Sequence, residues 1–200
     1  MKKVEQRYVA LIIISIGWLL IYIGRLTVPT LLVQIEHDLD VTDTQAGIAM
    51  TAMWFIYGAM QFPSGAISDS IGRKKIIIIS LGGFMIANFL IGATFDYFMM
   101  FFTFVMLGFT SGMYLSPSLT MISEIFGPNK VKAFGVRSSI SSLAGLVPIA
   151  LPTIAFIYGW RSIFLTYGIL SLLIAFLFYQ FVKESLNSPK KKSMTSSLKT

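Results

Sequence analysis

Residues 8–33, 45–66, 76–94, 98–126, 133–157 and 162–182 are long runs of Leu, Ile, Phe, Met, Ala and Gly, separated by short polar turns. A helix needs about 20 mostly apolar residues to cross a hydrocarbon core ~30 Å thick. Inside that core each backbone N–H and C=O must be paired within the protein, and a helix pairs them segment by segment. The pattern predicts an all-α membrane protein of six transmembrane helices. Composition agrees, with 55% of residues hydrophobic and only 12% charged, half the ~25% charge of soluble domains. Residues 1–183 form the predicted bundle, and residues 184–200 read as a polar tail or the start of a linker.

The positions of the cations give the bundle an orientation. Lys and Arg gather at the N-terminus, after Gly72, at Lys130, Lys132 and Arg137, and in the tail; only Arg25 and Arg161 fall elsewhere. With an even number of spans these four clusters lie on one side, which the positive-inside rule makes the cytoplasm. Both termini are then expected inside, and the acidic stretch 34–44, which holds the single His37, reads as an outer loop. The net charge of +7 is spread between spans instead of over one basic face, which argues against a nucleic-acid partner. The lipid bilayer is the expected surrounding. A retained first span without a transit-like prefix makes the plasma membrane the expected location.

Several chemistries lack their residues. There is no Cys and one His, so neither a thiol nucleophile nor a Cys-based metal site is expected. An intramembrane serine protease needs a Ser with a base, usually His, and no span contains a His. No paired buried Asp, HExxH run or phosphate-binding loop occurs. The chain is expected to be no enzyme and to need no cofactor.

The turn 65–75, Gly65-Ala-Ile-Ser-Asp69-Ser-Ile-Gly72-Arg73-Lys74-Lys75, is more specific than a connector requires. It resembles the loop signature of the major facilitator superfamily, in which Gly, three residues, Asp, a basic residue, any residue, Gly and two basic residues follow one another. Gly65, Asp69, Gly72, Arg73 and Lys74 match, while Ser70 stands where the family usually has Arg or Lys. The turn at Gly159-Trp160-Arg161 and the small residues Gly108 and Gly112, with Tyr114 and Pro117, are also similar to that family. The resemblance implies two inverted three-helix repeats forming half of a twelve-helix fold. It also implies a second six-helix half as partner, supplied by a longer frame or by a paired copy. A gating role for Gly65, Asp69, Gly72, Arg73 and Lys74 is implied likewise, with Asp69 capping a helix of that second half. Glu124 is expected to join the gate by pairing with Arg137 or Arg73. Ordinary membrane anchoring is the alternative for the three cations, and the better one for Lys75.

Arg25 is the sharpest candidate for solute chemistry. It sits deep in the first apolar run, where a charge costs ~2.5–3.5 kcal/mol on insertion scales and marks a functional site by default. A guanidinium facing a cavity binds carboxylate or phosphate in two-point fashion; the alternative is snorkelling toward the outer surface. Tyr22 with Arg25 resembles the first-helix pair of the superfamily's organic anion and organophosphate transporters. Tyr114 and Ser118 are placed beside the cavity by the resemblance, with Tyr57 and Trp54 as neighbours. Asn88 is expected to bond a neighbouring helix and Trp160 to anchor at an interface. The resemblance thus implies a secondary transporter of a small anionic organic solute working by alternating access. A cationic or neutral solute, or a non-transporting receptor on the same fold, are the alternatives.

Overall fold

The computed structural model describes residues 3–182, so the predicted tail, with Lys190, Lys191 and Lys192, lies outside the described residues. Seven α-helices follow in order: α1 (Lys3–Leu39), α2 (Asp43–Ile71), α3 (Arg73–Gly92), α4 (Tyr97–Phe126), α5 (Lys130–Ser141), α6 (Val147–Tyr158) and α7 (Trp160–Phe181). Short 3-10 turns, Gly127–Asn129 and Ser142–Leu146, precede and follow α5. Among the described residues four stretches are long and apolar enough to cross a membrane: Glu5–Leu39, Arg73–Gly92, Tyr97–Tyr158 and Trp160–Phe181.

Local chemistry explains most boundaries. Thr42 starts α2 with a capping box: its hydroxyl accepts from the Gln45 N–H, and the Gln45 side chain accepts from the Thr42 N–H. Such a pair satisfies two of the donors left open at a helix start. Asp96 caps α4 by accepting from the Met99 N–H at 2.7 Å. Gly72 alone separates α2 from α3, with φ at 112°, a backbone conformation that a side chain would oppose. Gly159 does the same between α6 and α7, with φ at 79°.

Two boundaries differ from the sequence reading. The acidic stretch after residue 33 is not mostly loop, because α1 continues to Leu39 and carries His37 in its last turn. Polarity alone does not end a helix; the chain turns only at Asp40, whose φ is 51°. The fifth apolar run is not one helix. Pro148 has no N–H to offer the carbonyl of Ala144 and crowds it. Ser141 and Ser142 bond back to the carbonyls of Arg137 and Ser139, a habit that bends helices. The run breaks into α5, a 3-10 turn and α6.

Close packing follows the small residues. α4 lies against α2 where Gly108 faces the Met53 carbonyl; a Cβ at Gly112 would stand 2.7 Å from the Tyr57 carbonyl oxygen. Hydroxyls tie the other pairs, since without a hydrophobic drive between helices such bonds add to packing. Ser80 donates to the Thr110 carbonyl, Ser171 to the Leu81 carbonyl and Tyr114 to the Ile14 carbonyl. Asn88 does not bond a neighbouring helix as expected; its amide donates to Phe84 one turn back in α3. Trp160, expected to anchor at an interface, packs inside the bundle. It is buried, and its indole N–H donates to Asp38 at the end of α1. Phe62 and Phe156 are almost wholly exposed, as side chains facing lipid tails can be.

Candidate functional site

The middle of the bundle holds a cation among aromatic rings. Trp18, Tyr22 and Arg25 are spaced by four and three residues on α1, which sets them on one face. α2 brings Trp54 and Tyr57 to the same place. The Arg25 guanidinium carbon lies 3.6 Å from the centroid of Tyr57, 5.3 Å from Trp54, 5.5 Å from Trp18 and 5.6 Å from Tyr22. Arg25 is 2% exposed and its Nε has no hydrogen-bond partner. No carboxylate pairs with it among the described residues. Snorkelling to the surface is therefore not what this side chain does.

A second arginine reaches the same spot from α5. The Arg137 guanidinium carbon is 4.6 Å from the Trp18 ring, and the residue is 7% exposed. Its Nε and Nη2 lack partners, and no carboxylate pairs with it among the described residues. Glu124 therefore makes the expected pair with Arg73 and not with Arg137. Because both guanidinium groups lie so near one indole, their separation cannot exceed the sum of those two distances. Two unit charges ~10 Å apart repel by ~1.6 kcal/mol at an effective dielectric constant of ~20. Each buried ion also loses hydration worth several kcal/mol. A desolvated ring contact returns ~2 kcal/mol, so the pair is left short of negative charge.

Tyr114 and Ser118 frame this cage more than they open into it. Both are fully buried. The Tyr114 ring stacks beside Trp18 with centroids 6.4 Å apart, and its hydroxyl is spent on Ile14. Ser118 donates to Leu115 in its own helix. Tyr22 stacks on Trp18 with ring planes 11° apart. Trp18, absent from the sequence candidates, is thus the residue the others share. Its signal was the four-residue spacing to Tyr22.

A different cluster lies at the end of the bundle where α2 stops and α3 starts. Arg73 binds Asp69 at 2.9 Å, one turn back across Gly72, and pairs with Glu124 on α4. Arg73 is 9% exposed, while the Asp69 side chain is 56% exposed. Lys74 donates to the carbonyl of Tyr179 at the end of α7 and lies over that ring. Gly65 faces Ser116 of α4 closely. At the opposite end Arg161 pairs with Asp38 and donates to the Thr94 carbonyl, joining α7 to α1 and α3.

Comparison with known proteins places this arrangement. The sequence model of the Major Facilitator Superfamily matches residues 14–199. A probable sulfoacetate transporter, SauU, of Cupriavidus necator is 26% identical over 92% of this chain and 43% of its own length. A probable galactarate/D-glucarate transporter, GarP, of Escherichia coli K12 is 26% identical over 94% of the chain and 44% of its own. The chain spans less than half the length of these relatives. Among solved structures, an inward-facing, unoccupied bacterial homologue of the human lysosomal transporter Spinster superposes with a TM-score of 0.80. It is 17% identical, with 95% of this chain and 46% of that one covered. The chain belongs to the major facilitator superfamily.

Proposed function

We propose that this major facilitator chain is the N-terminal six-helix half of a secondary transporter for small anionic organic solutes. The observation that carries the reading is Arg25: buried within the bundle, ringed by four aromatic side chains, and without a carboxylate partner among the described residues. A fixed guanidinium in a site of low polarity offers paired N–H donors to a carboxylate, sulfonate or phosphate. The names of the relatives point the same way, since sulfoacetate, galactarate and glucarate are organic anions. In this reading α5, the following 3-10 turn and α6 make up one broken span. The second half, from a longer frame or a paired copy, closes the site from the other side.

Alternating access then works by rocking one half against the other around the bound solute. The end bearing Arg73 and Lys74 faces the cytoplasm, by the positive-inside rule. Arg73, held by Asp69 and Glu124, ties α2 to α3 and α4. The exposed side of Asp69 is free to meet a helix N-terminus of the second half in one of the two states.

The test is uptake of labelled glucarate by cells expressing the full reading frame. Arg25→Gln should reduce uptake at least ~100-fold, the ~2.7 kcal/mol or more of a lost charged two-point contact, with membrane expression unchanged. Uptake that survives Arg25→Gln sinks the anion reading.

A further inference from the structure

We propose that Arg25 and Arg137 form one receptor with two positive poles, which selects solutes carrying two anionic groups. The inference rests on the anion reading of Arg25 and adds a specificity-determining residue from α5. Neither guanidinium has a carboxylate partner among the described residues, both are nine-tenths or more buried, and both lie over the ring of Trp18. The unpartnered atoms are the Nε of Arg25 and the Nε and Nη2 of Arg137. Like charges held this close raise each other's cost of burial, and a monoanion offsets only one of them.

The indole of Trp18 sets an upper limit on the spacing. It is packed against the rings of both Tyr22 and Tyr114, and Tyr114 is itself held to the Ile14 carbonyl. A solute with acidic groups at its two ends can therefore place one on each arginine across the flat of the ring. A linear four- to six-carbon diacid, or a short acid bearing one carboxylate and one sulfonate, has the right charge and comparable length. The rings of Tyr57 and Trp54 close over the Arg25 pole. That pole is the more enclosed, and we assign it the carboxylate common to all such solutes.

The experiment compares glucarate, a dianion, with glucuronate, a monoanion of the same carbon count, as competing solutes in uptake and as stabilisers of the purified full-length protein. Wild type should favour glucarate. Arg137→Gln should raise the half-saturating glucarate concentration about tenfold while leaving glucuronate within about twofold. Arg137→Lys should restore part of the difference, because the charge is kept while the fork geometry is lost. Arg25→Gln should lose both solutes. Equal losses of both solutes in Arg137→Gln, or an unchanged preference, would overturn the two-pole receptor while leaving the anion role of Arg25 intact. Indifference of Arg25→Gln, or a wild-type protein stabilised by neither solute, would overturn both. Should Arg137→Gln express poorly, the Arg137→Lys preference ratio decides alone: a ratio equal to wild type counts against two-point recognition.

Discussion

Three arginines in this bundle are buried to a similar degree, yet they live in opposite electrostatic settings. Arg73 is 9% exposed and engages two carboxylates; Arg25 and Arg137, at 2% and 7%, engage none among the described residues. The first is a charge-paired ion network that ties helices together, although the Nε of Arg73 and the Oε2 of Glu124 have no partner. The other two are held by rings, which lower the cost of burial without cancelling the charge. Burial depth thus does not separate the two settings; the partner does.

That contrast is open to attack. The largest effect on stability should come from Glu124→Gln, which strips Arg73 of its cross-helix carboxylate and leaves a buried charge half satisfied. Breaking a buried pair costs ~3–5 kcal/mol, and the exposed Asp69 should hold the loss near the lower end. The melting temperature in detergent should fall by several degrees. Arg25→Gln and Arg137→Gln should leave the melting temperature of the solute-free protein unchanged or raised, since each removes an uncompensated buried charge. A fall as large as that of Glu124→Gln would erase the distinction between the two settings. Asp69→Asn should have the smallest thermal effect, ~1 kcal/mol or less, because its carboxylate is mostly exposed. It should instead slow turnover more than it weakens solute binding; a loss of binding alone would contradict the proposed gating role.

Much of this contrast was legible in the sequence, and the part that was not has a physical reason. Arg25 stood out because a charge within an apolar run is costly. Asp69, Gly72 and Arg73 stood out by their spacing around a reversal, and the structure joins Arg73 to Asp69 across Gly72. Arg137 was legible only as one more cation beside Lys130 and Lys132 and as a candidate gate partner of Glu124, not as a neighbour of Arg25. Its inward direction depends on the path of α5 before the 3-10 turn at Ser142, and no local pattern in the sequence encodes that path. Trp18 was hidden for another reason: aromatic residues are common in membrane helices, and its contact with two guanidinium groups is what separates it from packing.

The contact of α4 with α2 bears on the cage through its dimensions. Gly112 abuts the backbone carbonyl of Tyr57, the same residue whose ring lies 3.6 Å from the Arg25 guanidinium. The missing methyl at Gly112 therefore acts as a spacer gauge. It sets how far the tyrosine is pushed toward the arginine, though the glycine itself touches no solute. Gly112→Ala would force the Tyr57 backbone or α4 itself to shift, an overpacking that costs ~1–3 kcal/mol. Its effect should be read in which solutes still fit, by ranking their uptake, and an unchanged ranking would show that the tolerance of the mould is set elsewhere. The calibre of this aromatic cage is cut by a residue one helix removed from it.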